Sequence, residues 1–159
     1  SCFKLFNGFD LMISVVQRVS AASVTVQTPA YFADISCGLC VLLGIEEGDG
    51  EEQASWMAKK LANLRIFQDN AGKMNRSVVD VQGEILLISQ FTLAGDSSAG
   101  NRPSFITAAK PSIAEPLVNF VGKTLVEEHK IPVSKGVFGA MMQVTIVNEG
   151  PVTLVINRD

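Results

Sequence analysis

The sequence predicts an α+β domain in which a mainly antiparallel, barrel-like sheet carries two or three flanking helices. Three observations point to that class. Residues alternate in type after Met12, with Val24 and Val26 set between Ser23, Thr25 and Gln27, the period-2 pattern of a half-buried strand. Extended apolar segments outnumber helical ones, and the last two follow each other directly, as antiparallel neighbours do. Apolar residues recur at helical spacing only after Asp49 and after Ser112.

The elements follow in order. A strand spans Ile13 to Gln27 and turns at Thr28-Pro29, and Val41-Leu42-Leu43-Gly44-Ile45 reads as a central strand. Asp49 and Glu52 have the spacing of a capping box, opening a helix with Ala54, Met57, Ala58, Leu61 and Leu64 on one face. Arg65-Ile66-Phe67 is short and extended, and Asp69-Asn70-Ala71-Gly72 is a turn. Glu84 to Thr92 is a strand with an almost continuous apolar body, followed by a small, polar and mobile loop from Ala94 to Arg102. Pro103 suits the first turn of a short helix. Ser112 and Glu115 suggest a second capping box, ahead of Ile113, Leu117, Phe120, Val121 and Leu125 on one helical face. Two last strands, Phe138–Val147 and Pro151–Ile156, are separated by Asn148-Glu149-Gly150-Pro151, which on local grounds reads as a hairpin turn.

Composition narrows the class further. With 159 residues, 47% apolar and 18% charged, the chain can bury a substantial core, and no apolar run approaches the roughly 20 residues of a membrane span. A formal charge of −3 argues against broad adhesion to nucleic acid. It leaves room for a local patch among Lys73, Arg76, Arg102, Lys110 and Lys135. Residues 1–11 are a poor signal peptide and are expected to be a non-native or dispensable extension, with 12–159 forming a single domain. Three cysteines, an odd number, argue against a disulfide framework. Cys37 and Cys40 have C-x-x-C spacing, yet Cys40 runs into an apolar strand and no second pair exists, so a reduced, cytoplasmic setting fits.

The catalytic inventory is short. One histidine, His129, sits among charged residues at a helix end and excludes a His-rich metal site, and no cofactor or metal is expected. Neither a nucleophile elbow nor a phosphate-binding loop motif is present. Glu46-Glu47 and Glu51-Glu52 read as a loop and a helix start rather than as paired catalytic carboxylates. If the protein is an enzyme, it works largely without a side-chain base. Two polar features interrupt apolar strands: Ser89-Gln90-Phe91-Thr92, and Asn148 to Thr153.

Those two features carry a resemblance. Ser89-Gln90-Phe91-Thr92-Leu93, then Gly100-Asn101-Arg102-Pro103-Ser104-Phe105, then Asn148-Glu149-Gly150-Pro151-Val152-Thr153 together resemble the D-aminoacyl-tRNA deacylase (D-tyrosyl-tRNA deacylase) family. Gln17-Arg18-Val19, Gly72-Lys73-Met74-Asn75 and Gly139-Ala140-Met141-Met142 extend the likeness from Met12 to Asn157. The resemblance implies a homodimer with active sites at the subunit interface, hydrolysing the ester that joins a D-amino acid, or glycine mischarged on tRNA-Ala, to the tRNA 3′ end. It implies that Gly150 and Pro151, joined by a cis bond, enter the partner's pocket and reject L substrates. Ser89, Gln90, Phe91 and Thr92 would form the catalytic segment, with main-chain N–H groups near Phe91 and Thr92 for the oxyanion. Thr92 as nucleophile stays open as an alternative. Phe138, Met141 and Arg102 would contact the tRNA. The loop at Asp96-Ser97-Ser98-Ala99 carries fewer charges than is usual there, which leaves its tRNA contacts open. Other readings are a non-catalytic nucleic-acid-binding dimer of the same fold, and a relative specific for L-alanyl-tRNA.

Overall fold

The computed structural model describes residues 12–157, so the extension expected at 1–11, with Cys2, lies outside the described residues. The elements run β1 (Ile13–Val26), β2 (Tyr31–Ile35), β3 (Gly38–Gly44), α1 (Glu51–Asn63), β4 (Phe67–Gln68), β5 (Met74–Arg76), β6 (Glu84–Ser89), α2 (Pro111–Glu127), β7 (Val133–Lys135) and β8 (Gln143–Asn157). The class is the one expected, two helices on a nearly closed, barrel-like sheet. Strand β1 organises it. One edge of β1 pairs in succession with β3 and β2, the other with β8 along almost its whole length, all antiparallel.

Beyond β1 the strand directions need correction. β3 pairs with β6, and β6 with β7, both in parallel. Parallel neighbours need a crossover of a dozen or more residues, usually a helix, and α1 and α2 lie in those two connections. A parallel strand covered on both faces reads as an unbroken apolar run rather than an alternation. Ile85, Leu86, Leu87 and Ile88 are such a run, all buried.

The core lies on both faces of this sheet. On one side Met57 and Leu61 of α1, with Leu117, Val121 and Leu125 of α2, pack on Val16, Leu39, Val41, Leu43, Ile85 and Leu87. On the other, Val19, Val24, Ile35, Cys40, Leu86 and Ile88 fill the inside of the curl. Tyr31 donates its hydroxyl to the Lys135 carbonyl (2.7 Å), and the Ser134 hydroxyl donates to the Asp34 carbonyl (3.3 Å). These bonds draw β2 toward β7 and nearly close the barrel.

Other local readings are revised. The N-cap of α1 is Gly50, whose N–H donates to the Gln53 side chain (2.8 Å), and that of α2 is Lys110, with Pro111 in the first turn. Asp49 turns back instead, accepting from the Glu46 N–H (2.9 Å). Residues 101–110 hold no helix at Pro103, and the loop before it is closed at its base by paired bonds between Asp96 and Ser104 (both 2.8 Å). Cys40 is buried in β3, which pushes its thiol up to about 11, and Cys37 is exposed. No helix among the described residues is long and apolar enough to cross a membrane.

Candidate active site

Strand β6 ends at Ser89, one residue short of the point where its neighbour β3 releases it: the Gln90 N–H still donates to the Leu43 carbonyl (2.8 Å). The chain then tightens into a 3-10 turn over Phe91–Ala94 rather than continuing as strand to Thr92. The first N–H groups of any helical turn have no partner within it, and here they belong to Phe91 and Thr92. The Gln90 amide donates to the Thr92 hydroxyl. Gly95 lets the next segment fold back, since a Cβ there would stand 2.8 Å from the Phe105 ring and 2.9 Å from the Thr92 carbonyl oxygen. Phe105 thus reaches Phe91, edge to face, with ring centroids 5.2 Å apart.

A cavity of about 510 Å³ opens beside this turn. Ser89, Gln90 and Phe91 form one wall, Ala108, Ala109 and Ala114 another, and the segment Phe138 to Met142 a third. The alanine wall is held by the Ala109 N–H on the Ile45 carbonyl (3.0 Å) and the Glu47 N–H on the Thr107 carbonyl (2.8 Å). Asp49 is buried, with its Oδ1 atom lacking a partner. Burial pushes its carboxyl up to about 6, against the hydrogen bonds from the Glu46 and Met12 backbones. Among the described residues nothing titratable lines the cavity itself: its walls are aliphatic, aromatic, thioether, hydroxyl and amide groups.

The second polar feature is not a hairpin turn, and the two expected last strands are one. β8 runs from Gln143 to Asn157 straight through Gly150-Pro151, while the segment around Phe138 is a turn and the strand before it is β7. Gln17 pairs with Thr153 and Val19 with Asn148, so Arg18 alone stands opposite Glu149, Gly150, Pro151 and Val152. Those four residues form a wide bulge, the kind of site where a sheet tolerates proline. Asn148 spans its base, accepting from the Val152 N–H (3.1 Å). Arg18 is 7% exposed; its Nε donates to the Glu149 carbonyl (3.0 Å) and its Nη1 to the Ile66 carbonyl (2.8 Å). Gly150 has φ +133°, and a Cβ on it would lie 2.9 Å from the Val152 N and 3.2 Å from Arg18 Nη2. Glycine is required there. The Gly150–Pro151 peptide bond is cis, as is Thr28–Pro29.

Of the residues singled out from the sequence, the structure gathers Ser89, Gln90, Phe91, Phe138 and Met141 around one cavity. Thr92 is exposed next to it, and Arg102 is exposed on the loop, away from the cavity lining. Gly150 and Pro151 project from the sheet without lining their own chain's cavity. Sequence reasoning gave Arg18 no role of its own and passed over Asn148's. A signal was present: Ser14, Val16 and Arg18 share the inward face of β1, and a charge on a core face needs a partner.

Fold and site together define a class, small barrel-like proteins with a largely apolar cavity beside a strand end. Residues 15–157 match the family model described as D-Tyr-tRNA(Tyr) deacylase. Similar curated proteins named D-aminoacyl-tRNA deacylase occur in Geotalea uraniireducens (53% identical, covering 91% of this chain and 92% of that one) and Chlorobaculum parvum (49%, 91% and 97%). Among solved structures, the c-Myc DNA Unwinding Element Binding Protein is similar at 42% identity with a TM-score of 0.83, covering 91% of this chain and 97% of that one. A structure described as a probable eukaryotic D-amino acid tRNA deacylase has a TM-score of 0.80 over 92% and 98% at 14% identity, and shares the fold. The chain belongs to the D-Tyr-tRNA(Tyr) deacylase family, and is an enzyme of the hydrolase class.

Proposed function

We propose that this protein hydrolyses the ester linking a D-amino acid, or glycine mischarged on tRNA-Ala, to the terminal adenosine of tRNA, and spares L-aminoacyl-tRNA. The observation that carries this reading is the 3-10 turn over Phe91–Ala94, whose leading N–H groups stand beside a cavity walled by Ser89, Gln90, Phe91, Phe138 and Met141. An aminoacyl ester is already activated, so its hydrolysis needs an oxyanion site and a placed water more than a strong base. Water adds to the ester carbonyl, the bond to the ribose 3′ oxygen breaks, and that oxygen takes a proton. The free N–H groups of Phe91 and Thr92 face the developing oxyanion, and the ribose 2′-hydroxyl beside the leaving oxygen assists. Ser89 and Gln90 shape the site, Phe138 and Met141 hold the adenosine, and Arg102 meets the tRNA further out.

Chirality is read by the bulge, acting in trans. The outer edge of β8 pairs with no strand among the described residues, and Val147 and Val155 are exposed along it. A long exposed apolar edge calls for a cover. A second copy of this chain covers it, seating each Gly150-Pro151 in its partner's cavity. There the Gly150 and Pro151 carbonyls accept from the substrate's α-ammonium and leave no room for an L side chain.

The test is ester loss from D-Tyr-tRNA and L-Tyr-tRNA: the D form should be consumed and the L form retained. No turnover of the D form overturns the reading. Mixed dimers test the trans arrangement. A Gly150→Ala subunit paired with a Phe138→Ala subunit has one intact site, so its kcat/KM should exceed that of either variant homodimer. A second reading, DNA binding, is favoured by the 42% identical structure. It predicts retention of a DNA duplex at moderate salt, to which the net charge of −3 is opposed.

A further inference from the structure

A smaller cavity of about 240 Å³ lies against the first and shares Ser89 and Phe138 with it. Its chemistry is different. Where the first has no charge among the described residues, this one is lined by the carboxylate of Glu115, the amide of Asn119 and the ammonium of Lys135. Glu115 and Asn119 are one turn apart on α2 and therefore on one face.

Lys135 is held in place from both sides. Its carbonyl accepts the Tyr31 hydroxyl (2.7 Å), and the next N–H, of Gly136, donates to the Leu87 carbonyl (3.1 Å). Its side chain lies over α2 at Gly122, where a Cβ would stand 2.9 Å from Lys135 Cε. The ammonium ends 3.4 Å from Asn119 Oδ1. A glycine inside a helix is less favourable than alanine, and here it forms the trough in which the lysine lies.

We propose that this second cavity is a subsite for the nucleotide preceding the terminal adenosine of the tRNA. The inference rests on the reading that the first cavity takes that adenosine. Lys135 contacts the linking phosphate. Glu115 accepts from the exocyclic amine of a cytosine, the pairing that a carboxylate makes with that base, and Asn119 completes its edge. Phe138, common to both cavities, is the aromatic platform on which successive unpaired bases stack. The 3′ end is thus gripped over two nucleotides, and the glutamate, which would repel a phosphate, serves to select the base.

The test compares 3′-D-tyrosyl-adenosine with 3′-D-tyrosyl-cytidylyl-adenosine, reading the gain in kcat/KM that the added nucleotide brings. Lys135→Ala should cut that gain by about fivefold, the scale of one exposed charged contact. It should also flatten the salt dependence of the dinucleotide reaction, since the lysine–phosphate attraction is screened by salt, and Lys135→Arg should restore both. Gly122→Ala, which displaces the ammonium without removing it, should reduce the gain in a folded protein. Exchange of cytidine for uridine should lower the gain in the wild type and leave it unaltered in Glu115→Ala. A wild-type gain near one, or an equal gain in the variants, overturns the subsite while leaving the deacylase reading intact. Absence of turnover of both substrates overturns the two together.

Discussion

Replacing Arg18 with methionine removes a buried guanidinium while keeping most of the apolar stem along which it reaches the bulge. Two carbonyls lose their donor, that of Ile66 (2.8 Å, buried) and that of Glu149 (3.0 Å, partly buried). Hydrogen bonds from a charged donor contribute about 1.5–3 kcal/mol each, and relief from burying a charge offsets part of their loss. The net cost to folding is about 2 kcal/mol, which for a chain of this size lowers Tm by roughly 4–8 °C. The effect on activity should be larger than stability explains. The Glu149 carbonyl anchors the bulge one residue before Gly150, and a displacement of about 1 Å at such a place can cost roughly 100-fold in rate. Hydrolysis of D-Tyr-tRNA by the folded variant, with L-Tyr-tRNA alongside, measures both kcat/KM and discrimination. Arg18→Lys should recover little, because one ammonium cannot span two carbonyls as the fork does. A variant that loses the expected stability but keeps wild-type kcat/KM and discrimination refutes the positioning role.

Other perturbations separate the remaining parts. Gly150→Ala forces a Cβ to within 2.9 Å of the Val152 N at φ +133°, so kcat/KM should fall at least about 100-fold in a protein that still folds, while the backbone strain lowers stability by about 1–3 kcal/mol. Thr92→Ala should cost less than about tenfold, since its hydroxyl is engaged only with the Gln90 amide; a folded but inactive Thr92→Ala enzyme would restore Thr92 as nucleophile. Phe138→Ala should raise KM for the charged tRNA about tenfold with kcat largely kept, the scale of one base–aromatic stack. Asp49 links stability to pH. Its native pKa of about 6 lies above the ordinary carboxylate value, so the native state binds the extra proton, and stability rises as pH falls through 6 toward 4. Asp49→Asn lacks that dependence. It should exceed the wild type at pH 7.5 by about 1–3 kcal/mol in urea titrations, and the gap should shrink as pH falls through 6 and close only below about pH 4. A constant gap would show that the buried charge is not its cause.

Much of this was legible in residue order. Alternation located β1 because one of its faces is buried, and the helical stripes located α1 and α2 for the same reason. The unbroken run Ile85 to Ile88 also announced a strand covered on both faces, although it was read without its consequence, parallel pairing. Caps were misplaced by a residue or two because Asp49 and Ser112 have capping side chains while Gly50 and Lys110 hold the positions; local preference is weak against where the chain must leave the sheet. Ser89, Gln90, Phe91, Phe138 and Met141, which line one cavity, were singled out from the sequence only because the motifs resemble a family's. Nothing in their spacing, about 50 residues apart in the chain, brings them together.

By itself the sequence determined the class of fold, the burial of each amphipathic face and the poverty of catalytic side chains, since these follow from residue types and their period. Only the tertiary structure decided what Asn148-Glu149-Gly150-Pro151 is. A hairpin and a bulge can present the same letters, because both use glycine and proline where a ladder is interrupted. They differ in what lies on the far side of the neighbouring strand. Here that is Arg18, inward on β1 and 131 positions from Glu149, and its two hydrogen bonds hold an uninterrupted strand around a projecting loop. A contact between residues so distant in sequence is set by the packing of the whole sheet, and no local pattern encodes it.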